Sequence, residues 1–432
     1  MVEPELTPPQ SGPRSPFSTW GKLAYALLVT ICGAAGYVYV STVYERLSNH
    51  TMQNDFALFY AASVMTAAGK SQPLNIYDHL VFTDYVNKFY PPHNPPIVYY
   101  MLYPPYFLTL LEPLHLIPLH DAWLVWVLAS SVLIVTSLLL LTRHRFSVAG
   151  AALIILATMM TSAAWYNFVG GQTAAILLFG LTLTWMLLKD EKYITAGLAT
   201  GIVLMKLQFA PLLLLVGLLR GKFRYAIGLA VAAVMLLGLG VLSVGIDNTL
   251  AYPNSLHESE NYEVHEKYVL GSNFRAAIGM LPFVTPDNAT PIAIAAFALA
   301  AFGVLVLWLK IYPRLQEASK PAFEICASVT TLLIVMFSIH ANMYDYLSVA
   351  IAFIWLWHWT STDSFFDFHK PIQLALRGSI LVFPVLTQIN VARQLLDNHG
   401  WSTGFIGGMA VLVLTLLAIR QATSPNKTTE SP

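Results

Sequence analysis

Ten long apolar runs, at 20–42, 121–142, 147–165, 170–188, 225–246, 289–311, 321–340, 343–360, 372–389 and 401–419, constrain this chain more than any other feature. A helix needs about 20 residues to cross a hydrocarbon core of about 30 Å, so each run has roughly the length of a membrane crossing. The composition agrees: 56% of the 432 residues are hydrophobic and 11% charged, where an ordinary soluble domain carries about 25% charged residues. Lys+Arg and Asp+Glu balance at 23 each, which leaves no basic excess for nucleic acid. Cys32 and Cys326, the only cysteines, both sit in apolar runs and exclude a disulfide framework or a cysteine metal site. No P-loop or dinucleotide fingerprint occurs. The expectation is an all-α polytopic membrane protein with no cofactor and no metal. It has a Pro-rich cytoplasmic leader (1–19), one integral domain (20–420) whose first run is an uncleaved anchor, and a polar cytoplasmic tail (421–432), with leader and tail disordered.

Two stretches resist counting. The segment 95–118 carries Glu112 and several prolines, so its backbone must be interrupted and it either crosses or lies as a re-entrant element. The segment 193–219 holds Lys206 at its middle. Cytoplasmic loops of membrane proteins are enriched in Lys and Arg. If 95–118 does not cross and 193–219 turns back at Lys206, 16 of the 23 basic residues fall on one side. That arrangement predicts 12 crossings with both termini cytoplasmic. Its external face comprises a first loop (43–120), a second (247–288) and the short turns near 166–171, 206, 340–343 and 390–400. The acids divide the other way, nine inside and 14 outside, so a neutral total conceals a polarised molecule.

Polar residues of unusual type collect on that face. Asp55 precedes the apolar segment Phe56 to Ser63, which reads as a short helix lying on the membrane surface, and composition alone makes Asp55 its capping acid. Tyr77-Asp78 and the run from Tyr99 to Pro105, Tyr103 included, form an aromatic and proline wall, either an interfacial belt or a surface for sugar or lipid. Gly170-Gly171-Gln172 reads equally as a structural turn and as a ligand contact, Gln172 entering the next helix with its amide toward a cavity. Lys206 is an ionisable residue in a long uncharged stretch; such residues mark a substrate or ion pathway unless they snorkel to the interface. His340, Tyr344 and Asp345 make the reversal between two apolar runs too polar for a simple turn, as a satisfied pair or as part of a cavity. The segment His257 to Lys267 reads as a solvated acidic cap, its His and Glu spacing fitting no standard zinc site.

The order of these motifs carries a resemblance. Asp55-Phe56 with Tyr60 and Ala61-Ala62, then Tyr77-Asp78, Tyr103-Pro104-Pro105, Gly171-Gln172, Gly197 and Gly201 ahead of Lys206 and Pro211, and His340 with Tyr344-Asp345 resemble the membrane glycosyltransferases of family 87. One departure is Gly170, where the pattern has Asn before Gly-Gln. The family includes polyprenol-phosphate-mannose-dependent mannosyltransferases of bacterial cell envelopes, and membership implies a GT-C-type fold with a catalytic carboxylate in the first external loop. The resemblance implies Asp55 as general base in an inverting transfer from a polyprenyl-phosphate sugar to a lipid or glycan acceptor. It implies Lys206 and His340 as ligands of the donor, with Gln172, Tyr103 and Asp345 shaping the pocket. The expected location is the inner (plasma) membrane with the site on the external side. The alternative is a secondary transporter with Lys206 and His340 as coupling groups, against which the chain has no repeated half; a non-catalytic envelope-assembly subunit is a third reading.

Overall fold

The computed structural model describes residues 55–70, 74–89, 98–266, 274–278, 283–319, 321–338, 340–363, 365–396 and 403–423. The first apolar run, the leader and nearly all of the tail lie outside the described residues, as do parts of both long loops. All regular secondary structure among the described residues is helical. The N-terminal half consists of α1 (Phe56–Ala68), α2 (His79–Val86), α3 (Pro105–Leu111), α4 (Leu119–Thr142), α5 (Val148–Met159), α6 (Ser162–Val169), α7 (Ala174–Lys189), α8 (Tyr193–Val203) and α9 (Ala210–Glu266).

Among the described residues, four helical stretches are long and apolar enough to cross a membrane: Leu119–Thr142, Phe223–Ser259, Asn288–Ala318 and Phe405–Ala422. A fifth exists if α5 and α6, bent by 60°, count as one span. The run at 20–42 lies outside the described residues; among the others, the count is lower than the run lengths predict for a local reason. The runs at 170–188, 193–219, 321–340 and 343–360 are cut by turns, which leave helices such as α7 (16 residues), α8 (11), Ala322–Phe337 (16) and Ala350–Thr362 (13). The cuts fall beside Gln172 and Thr173, at Lys206, and beside Ser338, His340 and Asn342, so helix ends carry these polar side chains.

The 95–118 stretch is interrupted as its prolines require. Pro105 opens α3, the chain tightens into a 3-10 turn at Glu112–Leu116, and Pro118 precedes α4. The 193–219 stretch reverses at Lys206. After α8 the chain turns through 204–206 into a 3-10 turn at Leu207–Phe209; α9 then divides into two apolar arms, Leu207–Gly221 and Phe223–Ser259. Gly221 packs on Tyr193 at the start of α8, while Gly228 abuts Ile194 and Gly201 abuts Ala232. The first arm therefore returns antiparallel to α8 and the second runs parallel to it. A Cβ on Gly228 would stand 1.9 Å from the Ile194 carbonyl oxygen, so the backbones touch as small-residue membrane interfaces allow.

Two expectations are corrected. The helix after Asp55 does not lie on a surface: Phe56, Ala61, Ala62 and Met65 are fully buried, in a cluster with Phe82, Phe107, Leu108, Leu111, Trp123 and Trp126. Its apolar residues occupy every face, and a helix that is hydrophobic all round is buried. The expected loop from 247 is helical through Glu266. Tyr252 Oη donates to the Leu102 carbonyl at 3.4 Å, and Asn248 accepts from the Ile76 amide at 2.8 Å while donating to the Leu74 carbonyl at 2.9 Å. The helix is extended because the first loop packs along it. Its acidic segment is therefore part of a helix and not a loose cap.

Candidate active site

The site forms where the N-terminal end of α1, the turn before α7, the reversal at Lys206 and the turn after Ala322–Phe337 converge. Asp55 occupies the N-cap position of α1, yet its side chain caps nothing there. Instead Oδ2 accepts from Gln172 Nε2 at 2.5 Å. Asp78, at the same position of α2, behaves as a capping acid should, accepting from Leu80 N at 2.9 Å and Val81 N at 3.2 Å. The two aspartates thus occupy equivalent helix positions but are held differently, Asp78 by its own helix and Asp55 by Gln172.

Gly171 makes the Asp55 contact possible. Its φ of +62° is one that only glycine adopts freely, and a Cβ there would meet Phe56 Cβ at 2.5 Å. The turn thus presses directly on the first residue of α1. Gln172 is held from behind: its carbonyl accepts from Trp126 Nε1 at 3.2 Å and its amide N–H donates to the Asn167 carbonyl at 2.8 Å. With the backbone fixed at both ends and only 4% of Gln172 exposed, the side-chain amide has one direction to point.

Tyr103 closes one wall. Its hydroxyl pairs with Thr173 Oγ1 at 3.0 Å, its ring stacks on Phe107 at 4.7 Å and meets Phe59 edge-on at 5.1 Å. Its backbone carbonyl accepts from Tyr77 Oη at 2.9 Å, so the Tyr77-Asp78 motif serves to place Tyr103. Burial pushes the Tyr103 hydroxyl above its ordinary value; the Thr173 bond opposes this, and the charges of Asp345 and Asp55 push the same way as burial.

The opposite wall is a buried ion pair. Lys206 Nζ donates to Asp345 Oδ1 at 2.5 Å, with the two side chains 6% and 0% exposed. The ammonium also lies 4.5 Å from the centre of the Tyr344 ring. Asp345 is held by its own turn, Oδ2 accepting from the Asn342 amide at 3.0 Å, and Asn342 Nδ2 donates to the Tyr344 hydroxyl at 2.9 Å. The Met343–Val349 turn packs on α6 and α7, which brings the ion pair beside the Gln172 turn. Tyr344 interacts electrostatically with both Asp55 and Asp345, so the two carboxylates belong to one cluster.

Asp55, Gln172 and Tyr103 lie on one side and Lys206 and Asp345 on the other. Of His340 it is the backbone carbonyl that makes a contact here, accepting from Gln208 Nε2 at 3.1 Å. Gln208 and Thr173 carry no charge and sit in apolar surroundings, so nothing in composition marks them. Lys206 does not snorkel: it turns inward to Asp345.

Apolar helices whose ends bring carboxylates, an amide and a lysine into one buried cluster define a helical membrane protein with an enzyme-like polar site. The sequence pattern of glycosyltransferase family 87 matches residues 101–338, more than half of the chain. The chain belongs to this family and is an integral membrane glycosyltransferase. Gln172, Tyr103 and Lys206 lie inside the matched segment; Asp55, His340 and Asp345 lie outside it. No curated protein and no solved structure matches the chain.

Proposed function

We propose that the protein transfers a hexose, mannose by resemblance, from a polyprenyl-phosphate sugar to a membrane-bound lipid or glycan acceptor on the external face of the cell membrane, with Asp55 as general base. The convergence of Asp55–Gln172 and Lys206–Asp345 in one cluster carries this reading. The division of basic residues between the two sides supports the placement and a GT-C-type arrangement of 12 crossings.

In the transfer, the acceptor hydroxyl oxygen bonds to the anomeric carbon from the face opposite the phosphate. The bond from that carbon to the phosphate oxygen breaks, its electron pair leaving with the polyprenyl phosphate, and Asp55 takes the hydroxyl proton. A phosphate leaves without being protonated, so one base suffices. Gln172 holds Asp55 in position, donating to the carboxylate oxygen that does not face the acceptor. Lys206 uses one of its three N–H donors on Asp345 and directs the others toward the phosphate. Because Asp345 offsets the ammonium charge, the phosphate is held by aimed donors, with His340 beside them, rather than by net charge. Tyr103 and Asp345 shape the pocket.

Purified protein in lipid, given labelled polyprenyl phosphosugar and membrane extract, should transfer label. Asp55→Asn should bind the donor as the wild type does and transfer about a hundredfold to ten-thousandfold more slowly. Transfer by Asp55→Asn at the wild-type rate overturns the base assignment. Wild-type transfer from nucleotide sugars alone overturns the donor class.

A further inference from the structure

At the ends of the same helices farthest from Asp55 lies a second polar feature. α4 enters the site through Trp126 and ends at Thr142, α7 begins just after Gln172 and ends at Lys189, and the helix beginning at Ala322 reaches the site at Phe337. At 1.5 Å per residue these helices separate the two ends by about 25 Å, nearly a hydrocarbon thickness. A cavity of about 470 Å³ opens there, lined by Arg143, His144, Arg145, Lys189, Asp190, Glu324 and His358 along with Leu140 and Met186.

The cavity is built rather than a chance gathering of charges. Glu324 accepts from Lys189 at 2.5 Å and from Arg145 at 3.4 Å, with the Glu324 side chain 10% exposed. Asp190 lies 3.7 Å from Lys192, outside the lining. The lining holds three cations, Arg143, Arg145 and Lys189, and two carboxylates; Arg145 and Lys189 share Glu324, and Arg143 bonds a histidine rather than a carboxylate. Arg143 Nε donates to His144 Nε2 at 2.8 Å, which ties the two side chains together. His144 has φ +63°, and Glu191, next to the lining residue Asp190, has φ +59°. Among the described residues these are the non-glycine positions with left-handed backbone, a conformation with a cost of about 1 kcal/mol or more that persists where the surroundings enforce it. Leu140 and Met186 give the cavity an apolar side.

One positive charge in excess in the lining, N–H donors at helix ends and the apolar side chains of Leu140 and Met186 beside them match a singly charged phosphodiester with acyl chains. We propose that this cavity binds the headgroup of an anionic glycerophospholipid on the membrane face opposite the Asp55 site. The occupant is set by the charge and the adjoining apolar surface, and the proposal is independent of the sugar chemistry.

The test is native mass spectrometry of the purified full chain titrated with phosphatidylglycerol or with zwitterionic phosphatidylcholine. The wild type should retain phosphatidylglycerol about tenfold more strongly, as expected for loss or gain of one charge-assisted contact. Arg143→Gln and His144→Gly should each remove most of that preference while elution and thermal unfolding stay as in the wild type. His144→Gly relieves the left-handed backbone, so it tests the imidazole without unfolding the chain. Equal retention of the two lipids by the wild type, or an unchanged preference in both variants, overturns the proposal. Displacement of the lipid by millimolar inorganic phosphate also overturns it, assigning the cavity to a soluble phosphate instead.

Discussion

Gln172 Nε2 donates to Asp55 Oδ2 at 2.5 Å although 117 positions separate the two residues in the chain. A neutral donor on a carboxylate favours its ionised form without neutralising it, which is what a base that must be charged to act requires. Gln172→Ala removes this bond and leaves the carboxylate less easily ionised. Transfer by Gln172→Ala should fall about tenfold at neutral pH, and the acidic limb of its pH–rate profile should move to higher pH. Rates measured across pH on wild type and variant check both; an unmoved limb with a tenfold loss would reduce Gln172 to a packing role.

Lys206 and Asp345 raise a different question, because a buried pair can be structural, functional or both. Removing one partner strands a buried charge, a loss of about 3–5 kcal/mol, whereas replacing both by apolar residues is often nearly neutral. Lys206→Met and Asp345→Leu should each lower the unfolding temperature in detergent, and the double variant should recover most of that loss. Donor affinity should not recover in the double variant, because the N–H donors are gone. A double variant that regains both would make the pair purely structural.

Gly171 is the hinge of the site. Gly171→Ala adds a methyl group to a residue at φ +62° and drives it into Phe56, whose Cβ would stand 2.5 Å away. The turn or α1 must shift, and a 1 Å misplacement of catalytic groups can reduce rate about a hundredfold. Transfer should drop by that order with a stability loss of about 1–3 kcal/mol. Phe56→Ala in the same chain should restore part of the rate, which a transfer assay on the pair of variants reads directly.

How much of this was legible in the sequence depends on charge. Lys206, Asp55 and Asp345 stand out because ionisable residues are rare amid apolar runs, and their order carried the family resemblance. Their pairing is not legible: Lys206 and Asp345 are 139 positions apart and meet only because Met343–Val349 packs on α6 and α7. Gln208 and Thr173, uncharged, gave no signal. The burial of α1 escaped periodicity because apolar residues fill all its faces, which shows that the helix is apolar but not what covers it. The helical course of 247–266 escaped for the opposite reason: its charged composition reads as a loop, whereas contacts with Leu74, Ile76 and Leu102 from the first loop hold the helical segment.

Asp78 supplies the comparison that keeps the Asp55 assignment specific. Both aspartates sit one residue before a short helix in the same loop, and both precede a large apolar residue within two positions. Only Asp78 caps, through bonds to Leu80 N and Val81 N. Asp78→Ala should therefore remove about 1 kcal/mol of stability and leave transfer within a few-fold of wild type. Asp55→Ala should do the reverse, with little change in unfolding temperature, because no capping bond is lost, and with transfer reduced at least a hundredfold. Thermal unfolding and initial rates on the two alanine variants, measured side by side, decide it: equal rate losses would mean that both aspartates act by placing the first loop and that neither is the base.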